Sequence, residues 1–164
     1  MPCTATIDSP VGPVRITGTR DVISEVMLGS DTRFIATPAL REDSAELADA
    51  ITQLQAYFAG ELQHFELPLD MSRGTTFQQS VWRALLGISY GTTASYRDIA
   101  QTIHSPRAVR AVGSANGRNP LAIVVPCHRI IGSTGKLTGY AGGLAAKRWL
   151  LKFEAANIEC SAAD

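Results

Sequence analysis

The sequence predicts a mixed α/β (α+β) chain in two parts, a strand-rich N-terminal scaffold followed by a mostly helical C-terminal half. Apolar and polar positions alternate through residues 4–37, the period of half-buried strands. Beyond residue 74 the apolar positions recur at helical spacing instead. A polar, glycine-containing join at residues 70–76 separates the two patterns, and the charge changes sign across it. Residues 1–73 carry five Lys/Arg against eleven Asp/Glu, a net of −6, whereas residues 74–154 carry ten against two, a net of +8. Glu159 and Asp164 restore neutrality. We therefore expect domains at 1–73 and 74–156, with a tail at 157–164.

In the first part, Ile7, Val14, Ile16, Val22, Ile23, Val26, Leu28, Phe34 and Ile35 supply the apolar positions. Turns are expected at Ser9-Pro10-Val11-Gly12-Pro13 and Gly29-Ser30-Asp31, which gives a few antiparallel strands. Leu47, Ile51, Leu54, Tyr57 and Phe58 then predict a helix over residues 44–60, with Ser44 as N-cap and Gly60 as the stop. Phe65, Leu67 and Leu69 predict a final strand. This part holds no catalytic cluster and reads as a scaffold.

In the second part, Phe77, Val81, Trp82, Leu85 and Leu86 form one stripe of a helix ending at Gly87, and residues 91–93 form a turn. Ser95-Tyr96-Arg97-Asp98 is a capping box that opens a helix with Ile99, Ala100 and Ile103 facing inward. Ser105-Pro106, an N-cap followed by proline, predicts a second helix through about Asn116. The pair reads as a helix-turn-helix, although a plain packing unit has the same spacing. On the second helix Val109 and Val112 face the core with Ala108 and Ala115. Arg107, Arg110 and Ser114 fall opposite, among Ala111, Gly113 and Gly117, whose small size lets a backbone approach a groove. The basic half has the electrostatic footprint of a phosphate binder; a solvated basic surface facing the acidic half is the other reading.

After a turn at Asn116-Gly117-Arg118-Asn119-Pro120 comes Ile123-Val124-Val125-Pro126-Cys127-His128-Arg129. The β-branched residues predict a short buried strand that Pro126 stops, presenting Cys127 just past its end. An ordinary thiol is only a few per cent ionised at pH 7, so a nucleophile there needs help from neighbours such as His128 and Arg129. On the Cys-His pair alone, a buried structural cysteine fits as well. Residues 132–143 form a glycine-containing loop. Gly135-Lys136 does not make a phosphate loop, because Ile130 occupies the upstream glycine position and Leu137 follows the lysine. Residues 144–156 predict the last helix, and residues 157–164 have little to bury and are expected to fray. Glu154 falls between Leu150 and Leu151 on that helix's apolar face. It either finds a buried partner, for which His128 is the obvious choice, or snorkels at the helix end.

Composition bounds the setting. Hydrophobic residues at 45% with 18% charged suit a soluble globular chain. There is no apolar run of membrane-spanning length and no signal segment, so we expect no membrane partner and a cytoplasmic (nucleoid-associated in a prokaryote) or nuclear location. Cys3, Cys127 and Cys160 are too widely spaced for a zinc set, and His64 and His104 do not complete one; a reducing compartment fits them better than a disulfide framework.

Residues 123–129, preceded by Asn119-Pro120 and followed by Gly139-Tyr140-Ala141-Gly142-Gly143 and Trp149-Leu150-Leu151-Lys152-Phe153-Glu154, closely resemble the active-site region of the O6-alkylguanine-DNA alkyltransferases. The resemblance is strong over residues 74–156 and loose before them. It implies a ribonuclease-H-like N-terminal domain and a helix-turn-helix (winged-helix-like) C-terminal domain. It further implies direct repair of double-stranded DNA containing O6-alkylguanine by irreversible alkyl transfer to Cys127, without metal, nucleotide or other cofactor. Glu154 would orient His128 to take the Cys127 proton through water, Tyr96 would protonate the departing guanine, and Asn119 would support the Cys-bearing turn and a neighbouring tyrosine. Arg110 would fill the gap left by the everted base, with Arg107, Ala111, Ser114, Ser95 and Arg129 completing the DNA-binding set. Tyr140, Ala141, Gly142 and Gly143 would line the alkyl pocket. Some members have serine where this chain has Ala141, so donation to O6 there falls to the backbone. A monomer in solution is expected, with cooperative assembly on DNA left open. Two rivals also stay open: a non-catalytic lesion binder, whose known relatives typically lack the cysteine, and a cysteine hydrolase using Cys127, His128 and Glu154.

Overall fold

The computed structural model describes residues 1–35 and 40–162. Its N-terminal part is an antiparallel meander of β1 (Cys3–Ile7), β2 (Val14–Gly18) and β3 (Ile23–Leu28). Register places Ala5, Ile16 and Val26 side by side on one face, and Ile7, Val14 and Leu28 beside them. That face joins the buried cluster that α1 (Ala48–Phe58) enters with Ala50, Leu54 and Tyr57. Alternation therefore does here what a period of two requires, directing every second residue into the core.

Two extended segments dock on β3 and bring the functional half to the sheet. Ile23 N donates to Pro68 O (2.8 Å) and accepts through its carbonyl from Asp70 N (2.9 Å). Further along, Val26 N donates to Pro120 O and Val26 O accepts from Ala122 N, both at 2.9 Å. The chain leading to Cys127 is thus anchored to the scaffold by main-chain bonds.

The C-terminal part comprises α2 (Thr76–Leu85), β4 (Ala94–Ser95), α3 (Tyr96–Thr102), α4 (Val109–Gly117), β5 (Ile130–Ile131) and α5 (Leu144–Ala162). The Ser95 capping box forms as expected: Asp98 N donates to Ser95 Oγ (3.0 Å) and Ser95 N to Asp98 Oδ2 (2.9 Å). α4 packs on both α2 and α3, and the buried Trp82 Nε1 donates to Ala115 O across that contact at 2.9 Å. β4 pairs in parallel with β5, tying the start of α3 to the residues just after Cys127.

Several elements differ from expectation. Residues 123–125 are a buried turn, not a strand: Val125 N donates to Leu121 O and Ile123 sits at φ +71°. β-branching favoured extension, but the chain reverses here to bury Leu121, Ile123 and Val125 together. Phe34 and Ile35 lie in a 3-10 turn (Thr32–Ile35), and residues 36 and 37 of the expected strand region lie outside the described residues. Residues 65–69 contribute only a bridge from Leu69 to Ile23. α1 starts at Ala48 rather than after Ser44, though Gly60 does close it with φ +78°. α4 starts at Val109, because Ala108 N closes a turn onto Ser105 O (2.9 Å) and leaves Ser105 without a capping role. α5 runs through Ala162 instead of fraying from residue 157. Asn157 Nδ2 holds it to Gly60 O and Tyr90 Oη, each at 3.1 Å, while Ile158 packs on the core; residues 163 and 164 lie outside the described residues.

Candidate active site

Cys127, His128 and Arg129 form a single 3-10 turn, and all three are buried. Asn119 braces the approach to it: Nδ2 donates to Val125 O (2.9 Å) while Oδ1 accepts from Leu121 N (3.0 Å). From α4, Asn116 Nδ2 reaches Cys127 O at 3.4 Å.

Glu154 projects from α5 into this turn and is 1% exposed. Its expected hydrogen bond to His128 is present, with Oε2 2.8 Å from Nε2. Four further donors converge on the same carboxylate. Arg129 Nε and Nη2 grip Oε1 and Oε2 at 2.8 and 3.0 Å, Tyr57 Oη donates to Oε2 at 2.6 Å, and Gly91 N donates to Oε1 at 3.3 Å. Burial pushes the Glu154 carboxyl up, but the hydrogen bonds and charges of His128 and Arg129 overcome it and hold the group ionised well below the usual carboxylate range. Burial also pushes His128 below its ordinary value, so its ring is neutral at pH 7. With Nε2–H donating to the carboxylate, Nδ1 carries the lone pair; it is buried and has no partner among the described residues.

The thiol has different surroundings. Burial raises the Cys127 pKa, opposed by polar contacts from Asn119 and Tyr140 and by the charges of Lys147 and Arg33. Lys147 is wholly buried on α5, and its ammonium donates to Thr138 O at 3.3 Å. Burial lowers its pKa while the nearby Cys127 raises it. The Tyr140 hydroxyl is buried without a well-formed hydrogen bond and faces the sulfur. Arg33 reaches in from the scaffold, chelating Asp31 at 3.0 and 2.7 Å and touching Asn119 O at 3.3 Å. A thiol held neutral by burial, beside a histidine with an unpartnered ring nitrogen and two cations whose charge favours the thiolate, is set up to ionise as it reacts.

The 6-O-methylguanine DNA methyltransferase DNA-binding domain matches residues 76–156, and the ribonuclease-like domain of the same family matches residues 3–71. The chain belongs to this family. The methylated-DNA-protein-cysteine methyltransferase of Mycobacterium bovis is 52% identical over 149 residues, covering 91% of this chain and 90% of its own length. The protein of the same name from Methanosarcina barkeri is 48% identical over 153 residues, covering 93% and 96%. Among solved structures, Mycobacterium tuberculosis OGT in complex with DNA superposes with a TM-score of 0.88 at 50% identity, covering 94% of this chain and 93% of that one.

For a methyltransferase of this family, the sequence-derived residues fall into three groups. Cys127, His128, Glu154 and Asn119 meet at the turn just described. Tyr96, at the first position of α3, directs its hydroxyl to Thr138 Oγ1 (2.6 Å), on the same loop whose carbonyl holds Lys147. That loop continues through Tyr140 and Ala141 to Gly142, where a Cβ would lie 2.7 Å from Leu28 and 2.8 Å from the Tyr140 ring, so a larger residue there would push one of these side chains aside. Gly143 closes it at φ +93°. Arg110, Ala111 and Ser114 are exposed on α4, Arg107 is exposed on the turn before it, and Ser95 caps α3. Arg129 is the exception. It is buried, spent on Glu154 and on Ile88 O (2.7 Å), and cannot reach DNA as expected. Nor does Asn119 hydrogen-bond a tyrosine among the described residues; its side chain serves the turn and the thiol. Sequence reasoning missed Lys147, Tyr57 and Arg33. Lys147 shares the buried stripe of Leu150 and Glu154, so helical spacing could have found it. Tyr57 sat on an apolar stripe with a hydroxyl that needed a partner. Arg33 left no such signal.

Proposed function

We propose that Cys127 takes the alkyl group, methyl above all, from O6 of guanine in double-stranded DNA and keeps it as a thioether. The observation that carries this reading is the buried Cys127, His128 and Glu154 set, with His128 Nδ1 left to accept a proton, in a chain of the methyltransferase family. The Cys127 proton passes through a bridging water to His128 Nδ1. The sulfur then attacks the alkyl carbon: an S–C bond forms, the C–O6 bond breaks, and the electron pair enters the guanine ring, which takes a proton from Tyr96. Lys147 and Arg33 stabilise the sulfur's negative charge as it develops. A thioether has no leaving group that these residues could expel, so each molecule acts once.

The target carbon lies inside the base stack, so the nucleotide must swing out before reaction. Arg110, exposed on α4 beside the small Ala111 and Gly113, is the side chain that fills the gap. Arg107, Ser95 and Ser114 contact the flanking backbone, and binding weakens as salt rises. Every group of the relay comes from one chain, so a monomer suffices, and a Hill coefficient above one in a DNA titration would mark cooperative loading. The wide spacing of Cys3, Cys127 and Cys160 suits a reducing compartment, the cytoplasm.

The test is intact mass after incubation with a duplex carrying O6-methylguanine, followed by peptide mapping. The expected result is a gain of one CH2 on Cys127, stoichiometric and without turnover, and none in Cys127→Ser. An unmodified protein that stays bound to the lesion would make it a lesion binder, and an unmodified protein that releases product would make it a hydrolase.

A further inference from the structure

Glu154 Oε2 is shared. It accepts from His128 Nε2 at 2.8 Å, from Tyr57 Oη at 2.6 Å and from Arg129 Nη2 at 3.0 Å. Tyr57 comes from α1, in the half of the molecule that reads as scaffold, and it is fully buried. Phe58, Phe65, Tyr90 and Phe153 surround its ring at centroid distances of 5.3 to 6.1 Å.

We infer that the Tyr57 hydroxyl sets how strongly Glu154 pulls on His128, which makes Tyr57 a positioning residue of the alkyl-transfer relay. The argument is one of competition. A carboxylate oxygen offers two lone pairs, and a donor 2.6 Å away withdraws density that the imidazole would otherwise use. Arg129 already balances the carboxylate charge, so the pull left for His128 depends on its neighbours at Oε2. The other charged or titratable groups around this pair are Lys147 on α5, Cys127 and Tyr140 at the thiol, and Tyr90, whose ring lies 5.5 Å from the Arg129 guanidinium. None of these hydrogen-bonds Oε2 among the described residues; beside His128 itself, Tyr57 is the neutral side chain that does.

The sign follows. Removing the hydroxyl leaves more of Oε2 to His128, favours the imidazolium, and raises the pH at which the relay gains its neutral base. Tyr57→Phe, which keeps the packed ring, therefore moves the acid limb of the pH profile for single-turnover methyl transfer upward by about half a unit. Incorporating 3-fluorotyrosine at position 57 makes a stronger donor of nearly the same shape and moves the limb downward. His128 ring-proton titration by NMR reads the same shift without any reaction. The inference rests on the proposed function for its kinetic readout, and the two fail separately: a parent protein that never methylates Cys127 sinks the function, whereas an active parent with coincident acid limbs and His128 titrations in both variants overturns the role of Tyr57. A lowered melting temperature with an unmoved limb also overturns it, since that is what a purely structural hydrogen bond gives.

Discussion

Glu154 and Lys147 lie two turns apart on the buried side of α5, one facing His128 and Arg129, the other facing the thiol and its loop. Glu154 receives five hydrogen bonds, two of them from the bidentate Arg129. At the Lys147 end the ammonium has one long bond to a carbonyl, while the Tyr140 hydroxyl and His128 Nδ1 have no well-formed partner among the described residues. A buried polar group left unsatisfied costs roughly 1–3 kcal/mol, so the two ends contribute to stability with opposite sign. The carboxylate end is a frame. The thiol end is held in a state that a reacting molecule would relieve, as strained functional sites generally are.

The contrast breaks most visibly at Glu154. Glu154→Ala strands the Arg129 charge in the interior and should cost about 3–5 kcal/mol, much of the stability of a chain this size. Equilibrium urea unfolding measures it, and a loss below about 1 kcal/mol would mean that the frame bears no weight. Lys147→Met is the matched test at the other end. Methionine is of similar length and brings no charge to bury, so stability should hold or rise, while the thiol loses one of the two cations that favour its ionisation and reacts with iodoacetamide about tenfold more slowly at pH 7. A stability loss equal to that of Glu154→Ala would erase the distinction.

A smaller effect lies in the pH dependence of stability. Glu154 has a folded pKa below its unfolded value of about 4.3, so its contribution is complete above that pH and is lost progressively as the pH falls from there toward the folded value. His128 is buried neutral with a folded pKa below its unfolded value of about 6.5, so stability also falls once the pH drops under about 6.5, where the unfolded chain takes up the proton first. Unfolding free energy should therefore decline on acidification in two stages, and His128→Asn should remove the upper one. A profile flat from about pH 7 to pH 5 in the parent would place the histidine outside the frame.

The same asymmetry governs what could be read from the sequence. Local signals carried well: Ser95 and Asp98 are three residues apart and make the capping box that their spacing announces. Glu154 on an apolar stripe correctly demanded a partner. Lys147 makes the same demand from the same stripe, but lysine is so often solvent-exposed that its position alone does not signal burial. The resemblance puts Arg129 with the DNA-binding set, and nothing within its own neighbourhood records a carboxylate 25 residues later in the chain. Ile123, Val124 and Val125 have the composition of a strand, yet docking of Leu121 and Ala122 beside β3 forces the chain to turn, which no local pattern encodes. Tertiary packing overruled propensity where it had to deliver the cysteine.

Tyr140→Phe is the finest test, because it removes one oxygen from the unsatisfied end and leaves the ring that covers Gly142. The hydroxyl is buried, and burial together with the facing Cys127 keeps its pKa high, so it remains a donor across the neutral range. Its best acceptor is the sulfur, and it is a far better one when ionised than as the thiol. In the resting protein the hydroxyl is therefore a cost, and removing it should raise stability by up to about 1 kcal/mol. In the reaction it stabilises the developing thiolate, so the same change should slow alkylation of Cys127 several-fold. Urea unfolding and iodoacetamide kinetics on one preparation decide it. A variant both less stable and no slower would show that Tyr140 belongs with the frame, and the division between the two ends of α5 would have to be redrawn on the loop side.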